Sequence, residues 1–106
     1  MIVELVLFKK PPQFDDARMI EDARSVVDHW RSDPNLVSKH FMKSADGEIG
    51  GIYIWPNEQA ARSAHDEKWR ARFLERTGVE PTIKYFQLFM VIDNQKESVV
   101  EYPLAL

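Results

Sequence analysis

The stretch of residues 50–55, Gly-Gly-Ile-Tyr-Ile-Trp, constrains the fold of this chain more than any other segment. It alternates, it is rich in β-branched and aromatic residues, and Pro56 ends it, as is typical of a β-strand. Glycine weakens a strand, so Gly50 and Gly51 indicate a bulge or the close approach of another backbone or a ligand. Helical patterns flank this segment and further strand patterns lie beyond them, so we expect it to be a central strand.

The remaining apolar patterns predict three more strands. They cover residues 2–8, 36–43 and 83–93. An Asp-Gly turn signal at residues 46–47 joins the second strand to the third, which should therefore run antiparallel to it. The segment 83–93 is the longest of the strand patterns and is apolar on both of its faces.

Two helical segments lie between these strands, and each begins with a side chain that can accept a hydrogen bond from the backbone. Asp15 is expected to cap the first helix and Asn57 the second. In the second helix, the small-residue stripe containing Ala61 is out of phase with the stripe containing Trp69. We therefore expect the helix to break near Asp66, which would cap its second piece.

The element order β-α-β-β-α-β predicts an α+β, ferredoxin-like domain over residues 1–94, with a four-stranded antiparallel sheet and two helices on one face. The other face would be apolar over an area that a monomer rarely exposes. We therefore expect a homodimer in which two sheets pack together, as in a dimeric α+β barrel. Residues 95–106 form an apolar C-terminal tail, which we expect to dock on the domain or on the partner chain.

Composition excludes several classes of function. The net charge is −3 and no basic cluster is present, so nucleic-acid binding is not expected. The chain has no cysteine, which fits a reducing cytoplasm and excludes thiol chemistry. The apolar run at residues 2–8 is followed, not preceded, by Lys9 and Lys10, unlike a secretion signal, and no run is long enough to cross a membrane.

Several motifs together point to a known superfamily. They are the strand 50–55, a helix carrying Trp69, the pattern Gly78-x-x-Pro81, the strand 83–94 with its Tyr85-Phe86 pair, and Asp33-Pro34 followed by Lys39. Over residues 1–94 the chain resembles the dimeric α+β barrel superfamily. Within it, the chain is similar to the antibiotic-biosynthesis-monooxygenase-like proteins, and most of all to small mono-oxygenases of the YdhR type.

The resemblance implies cofactor-independent mono-oxygenation of an aromatic or polyketide-like small molecule, in a cavity between sheet and helices. The ionised substrate would itself pass an electron to O₂, so no flavin, haem or metal is expected. The protein would supply an apolar cavity, a donor for the developing oxyanion and a base. Related haem-degrading proteins have an asparagine in the first strand, where this chain has Glu4. This difference argues against haem.

Two histidines are candidate catalytic bases, since an unperturbed imidazole has a pKa of about 6.5. His65 comes first because it lies at the predicted helix break, and His40 comes second. For each of them a structural or exposed position is the competing interpretation. The spacing of the three histidines does not indicate a metal site. The candidate substrate-binding residues are aromatic: Tyr53, Trp55, Trp69, Tyr85 and Phe86.

The sequence leaves other functions open. The chain could be a non-catalytic dimeric barrel that binds an apolar small molecule or a protein partner. A third hypothesis is a different reaction on the same scaffold, such as isomerisation or dechlorination of a ring. An open, polar-lined cavity would favour catalysis, whereas a filled core would favour the non-catalytic barrel.

Overall fold

A computed structural model describes residues 1–104 of the chain. Within these residues, the strands and helices follow the predicted order with three differences. The first helix and the last predicted strand are each divided into two elements, and one further strand follows them. The elements are β1 (Ile2–Lys9), α1 (Asp16–Ser25), α2 (Val27–Arg31), β2 (Ser38–Lys43), β3 (Glu48–Trp55), α3 (Glu58–Ala64), α4 (Glu67–Thr77), β4 (Thr82–Gln87), β5 (Met90–Asp93) and β6 (Ser98–Glu101).

The main sheet is antiparallel and has the strand order β2-β3-β1-β4. β3 pairs with both β1 and β2, so the prediction of a central strand is confirmed. The register places Glu4 opposite Tyr53 on one side and opposite Tyr85 on the other, and it places Lys39 opposite Tyr53. The predicted α+β, ferredoxin-like fold is therefore present.

The two faces of this sheet differ in how they are covered. Side chains alternate between the faces along each strand. On one, here called the helix face, the core cluster packs against residues of α2, α3 and α4; its buried members are Val6, Trp30, Tyr53, Trp55 and Ala61. The other, here called the open face, carries half-buried or exposed side chains that include Val3, Leu5, Leu7, Ile52, Ile54 and Phe86.

The predicted helix caps are present. The Oδ1 atom of Asp15 accepts a hydrogen bond from the Arg18 backbone N–H at 2.8 Å, and that of Asn57 accepts one from Ala60 at 2.8 Å. The Oδ1 atom of Asp66 accepts one from Trp69 at 2.9 Å. α3 ends and α4 begins around this residue, so the predicted break is confirmed.

The first helical segment also breaks, which the sequence did not predict. α1 and α2 are separated at Val26, whose backbone leaves the helical region with φ −104° and ψ 3°. The Oγ of Ser25 donates a hydrogen bond to the Asp22 carbonyl at 2.6 Å, and the β-branched pair Val26-Val27 follows. Serine–carbonyl bonds and crowded β-branched residues both weaken a helix locally.

The prediction of one long strand over residues 83–93 is wrong. β4 ends at Gln87, opposite Ile2 of β1, and the Leu88 N–H donates to the Met1 carbonyl at 2.9 Å. The chain leaves the sheet, and β5 pairs with β6 in a separate hairpin. Residue 94 lies in its turn, so the division into a domain over 1–94 and a docked tail over 95–106 stays a prediction. The last two residues of that tail lie outside the described residues.

The two glycines of β3 meet different neighbours. A Cβ atom on Gly50 would lie 1.9 Å from the backbone oxygen of Val6, which confirms a close approach of another backbone. A Cβ atom on Gly51 would lie 3.0 Å from the backbone oxygen of His40 and 3.5 Å from side-chain carbons of Lys39 and Tyr53. Gly50 is thus required by the neighbouring strand, whereas a side chain at Gly51 would be in tight contact with its neighbours on the helix face.

Candidate functional site

A cavity of about 680 Å³ lies between the helix face of the sheet and the helices. Its volume is within the range of pockets that hold small organic ligands. Gly51 lines it, and the missing side chain contributes to its depth. Most of its wall is apolar or aromatic, with Val6, Phe14, Trp30, Phe41, Tyr53 and Trp69 among the lining residues.

Lys39 is a charged side chain in the aromatic part of this cavity. It projects from β2, and its Nζ atom lies over three rings, 4.1 Å from the centroid of Phe41, 4.5 Å from Trp30 and 4.6 Å from Tyr53. It forms no ion pair with a carboxylate among residues 1–104. Burial, together with the smaller effect of the positive charge of Arg76, lowers the pKa of Lys39 to about 7.

The rim of the cavity is also mostly cationic. Arg72, Arg76 and Lys43 line it, together with Asp22. Arg76 pairs with Asp22, and Lys43 pairs with the exposed Asp16, which is not part of the lining, at 2.9 Å. The whole chain is negative, yet its cavity carries an excess of positive charge.

A second buried charge, Glu4, lies behind the cavity wall. Its carboxylate is fully buried, and its Oε1 accepts a hydrogen bond from the Trp55 Nε1–H at 2.9 Å. The Nδ1 atom of His65 lies 2.8 Å from the same oxygen, in ion-pair contact but without the alignment of a hydrogen bond. Glu4, Trp55 and His65 do not line the cavity.

The aromatic wall encloses the His65 ring and separates it from the cavity. Its centroid lies 4.4 Å from that of Trp69, 4.6 Å from Tyr53 and 5.2 Å from Trp30, and all three of these residues line the cavity. The His65 side chain is fully buried. The imidazole therefore supports the wall from behind, and a ligand in the cavity meets the aromatic rings first.

Burial also affects the tyrosines beside Glu4. It raises the pKa of Tyr85 to about 12, and the negative charge of Glu4 acts in the same direction. The pKa of Tyr53 is raised for the same two reasons. Both phenols therefore stay protonated at neutral pH.

The structure brings five of the seven predicted site residues together and separates two. Tyr53 and Trp69 line the cavity, and His65, Trp55 and Tyr85 lie close behind or beside them on the helix face. The two others lie on the open face, where His40 is opposite Ile52 and Phe86 is opposite Val3, and neither lines the cavity. His40 is exposed, and its Nε2 lies 3.3 Å from the Ser38 Oγ.

Sequence reasoning did not select Lys39 or Glu4 as site residues. A signal for Glu4 was present, since it is the one charge in the otherwise apolar run 2–8. Lys39 and Phe41 are two residues apart along β2 and therefore lie on the same face. Only the tertiary structure shows that this face borders the cavity.

In the part of the chain that the structure describes, no group of three His, Cys, Asp or Glu side chains could hold a metal ion. Nor does that part contain a helix with the length and hydropathy needed to span a membrane.

Comparison with solved structures places this fold among known proteins. A candidate antibiotic biosynthesis monooxygenase from Deinococcus radiodurans matches with a TM-score of 0.67 and 11% identity, over 88% of this chain and 97% of that one. The monooxygenase ActVA-Orf6 of Streptomyces coelicolor, solved with nanaomycin D, matches with a TM-score of 0.61 and 23% identity, over 82% and 86%. A variant of SnoaB from Streptomyces nogalater, described as a cofactor-independent oxygenase, matches with a TM-score of 0.60 and 14% identity, over 82% of this chain and 91% of that one.

These likenesses are structural. No protein-family model matches the sequence, and no curated protein matches it. At these identities, the chain shares the fold of the antibiotic-biosynthesis-monooxygenase-like proteins, which confirms the predicted superfamily fold. The closer similarity to the YdhR type stays a prediction.

Proposed function

We propose that this protein is a mono-oxygenase that oxidises an aromatic small molecule in the cavity on the helix face. The observation that carries the proposal is the cavity itself, whose aromatic wall surrounds an ammonium group without a carboxylate partner. Two proteins of the same fold support it, one solved with nanaomycin D and one described as a cofactor-independent oxygenase.

The proposed reaction needs O₂ and an electron-rich substrate. A methylene carbon of the substrate becomes a carbonyl, one oxygen atom enters the product and the other leaves as water. The substrate supplies all four electrons, and its ionised form starts the transfer to O₂, so we propose that no cofactor takes part. The aromatic wall excludes water and orients the ring, and the Lys39 ammonium is placed to stabilise the developing oxyanion.

The catalytic roles of His65 and His40 stay proposals. His65 is the better placed of the two, because its ring contacts Tyr53 and Trp69 of the cavity wall. To act as a base, it would need those rings to move aside. His40, on the open face, has no such contact.

Oxygen uptake tests the proposal. Metal-stripped, flavin-free protein is mixed with a panel of dihydroxynaphthalenes and anthrones, and O₂ consumption is compared with that of a no-protein control. We expect uptake above the control for at least one substrate. His65→Gln should lower the rate by about 10²–10⁴ if His65 is the base, and His40→Gln should leave it unchanged. Uptake no faster than the control across the panel would contradict the proposal.

The second candidate function is a non-catalytic barrel that binds an aromatic small molecule. One observation favours it: the imidazole nearest the cavity is sealed behind Trp30, Tyr53 and Trp69. Calorimetric binding of a panel compound without accompanying oxygen uptake would support this candidate over the oxygenase.

We also propose that the protein assembles as a homodimer through the open face. The side chains of Val3, Leu5, Ile52 and Ile54 form neighbouring pairs there, and none of the four belongs to the core cluster described on the helix face. Sedimentation equilibrium at micromolar protein should give a dimer, with an interface above about 1,200 Å². Leu5→Lys should dissociate it and the surface change Glu75→Lys should not. A monomeric wild type would contradict the proposal.

A further inference from the structure

The ammonium group of Lys39 is surrounded by aromatic rings and lies at the edge of an open cavity. Three ring faces stabilise its charge through cation–π contacts, each worth about 0.5–2 kcal/mol. Rings accept no strong hydrogen bond, so the three N–H donors of an ammonium need other acceptors. Among residues 1–104, no carboxylate forms an ion pair with Lys39. The cavity is the space from which such an acceptor can come.

The charges around Lys39 do not replace a partner. Arg76 of α4 opposes its protonation, while Asp22 of α1 and Glu4 of β1 favour it from a distance. Asp22 is already paired with Arg76, and Glu4 lies behind the wall in contact with Trp55 and His65. The other titratable or charged groups that line the cavity are His29 of α2, Lys43 of β2, Tyr53 of β3 and Arg72 of α4.

We propose that Lys39 binds the ionised oxygen of a flat aromatic ligand, so that the cavity selects an aromatic anion over its neutral isostere. The ring of the ligand would pack against the aromatic wall, and its oxygen would accept hydrogen bonds from Nζ. This inference rests on the proposed function of the cavity, and it names the charge of the substrate. The cationic rim, with Lys43, Arg72 and Arg76, favours the same sign of ligand.

Protonation of Lys39 sets the pH range of this selectivity. Burial lowers its pKa to about 7, so in the empty cavity it is mainly charged below that pH and mainly neutral above it. A carboxylate ligand with a pKa of about 4 stays ionised throughout this range. Its affinity should therefore be highest near pH 6 and should fall as the pH rises toward 8.5.

Isothermal titration calorimetry with 2-naphthoate and 2-naphthamide tests the proposal, because the two probes share a shape and differ in charge. At pH 6 we expect wild type to bind the naphthoate at least tenfold more tightly, the gain of one hydrogen bond to a charged group. At pH 8.5 this preference should be several-fold smaller. Equal affinities at pH 6, or no binding of either probe, would overturn the proposal.

Three variants identify the residue responsible. Lys39→Met keeps the length of the side chain and should lose the preference for the anion. Lys39→Arg should keep the preference and lose its dependence on pH, because arginine stays charged. Lys68→Met is the matched control, since Lys68 is an exposed lysine of α4 that does not line the cavity, and it should behave as wild type. A preference that survives in Lys39→Met, or a pH dependence that survives in Lys39→Arg, would overturn the assignment.

A phenol probe distinguishes the two sources of an anionic oxygen. If Lys39 binds phenolates, 2-naphthol bound at pH 7.5 should show the absorption of its ionised form in wild type and not in Lys39→Met. The phenol proton then passes to the neutral amine, which becomes the ammonium that holds the phenolate. A naphthoate preference without this absorption supports the proposal with a carboxylate as the ligand.

The binding experiments and the oxygen-uptake experiment can fail independently of each other. Wild type that consumes O₂ but shows no preference for the anion overturns this inference alone. Wild type that prefers the anion and consumes no O₂ supports this inference and contradicts the oxygenase.

Discussion

Glu4 is fully buried and Lys39 is half-buried, and the two charged side chains are compensated in different ways. The Glu4 carboxylate receives the Trp55 indole N–H and lies in ion-pair contact with His65, all behind the cavity wall. The Lys39 ammonium has aromatic rings around it and an open cavity beside it. The two groups lie on one sheet face, on either side of Tyr53, which is paired with both of them.

The difference separates a structural charge from one that is available to a ligand. Buried charges are expensive unless they are paired and hydrogen-bonded. At Glu4 the chain places the Trp55 N–H and the His65 ring at Oε1, while Oε2 has no hydrogen bond among the described residues. At Lys39 it supplies only ring faces, so the uncompensated part of the cost can be offset by something that enters the cavity.

The largest effect is expected for Glu4→Ala. Removing the carboxylate leaves the buried Trp55 N–H and the His65 ring without their partner, and breaking such a pair typically costs about 3–5 kcal/mol. Glu4→Gln keeps an acceptor of similar shape and should cost clearly less. Urea denaturation at pH 7 measures both. If the two variants have the same free energy of unfolding, the contacts of Glu4 with Trp55 and His65 do not stabilise the core.

A smaller effect, with a pH dependence, is expected for Lys39→Met. At pH 6 the lysine is charged in both states and is desolvated only in the folded one, so replacing it should stabilise the protein by about 1–4 kcal/mol. Between pH 7 and 10 the unfolded lysine keeps its proton while the folded one, with a pKa of about 7, has lost it. Wild-type stability should therefore rise with pH relative to the variant, and the gap should close.

Denaturation curves of wild type and Lys39→Met at several pH values from 6 to 10 measure that gap. Lys68→Met, a change of an exposed lysine, provides the control and should show a constant difference from wild type. A constant difference for Lys39→Met as well would mean that the three ring contacts fully compensate its burial. Lys39 would then be a structural group rather than one available to a ligand.

The smallest effect is expected for Gly51→Val, which adds a side chain beside Lys39 and Tyr53. Its added atoms would meet the His40 carbonyl oxygen, Lys39 and Tyr53, so we expect a loss of about 1–3 kcal/mol from overpacking. The same change should weaken naphthoate binding by filling the cavity floor. Thermal denaturation and calorimetry measure the two effects. A denaturation midpoint equal to that of wild type would show that the space at Gly51 is not needed.

Local signals made much of the fold predictable. The caps at Asp15, Asn57 and Asp66 depend on side chains that bond to backbone groups three residues away. The break before α4 follows from a shift in helical phase that is visible in the sequence. Strand bounds that depend on a partner were predicted less well: β4 stops at Gln87, opposite Ile2 of β1, and a continuous apolar pattern does not show this.

The sequence by itself determined the element order, the two-faced sheet and the apolar character of both faces. Only the tertiary structure decided which face the helices cover, and this choice separates His65 from His40 and Tyr85 from Phe86. The physical reason is that a strand's period of two divides residues into two sets without saying which set is buried. It also decided that Glu4 meets residues about 50 and 60 positions away while Lys39 meets an open cavity, because long-range pairing sets the partners of a buried charge.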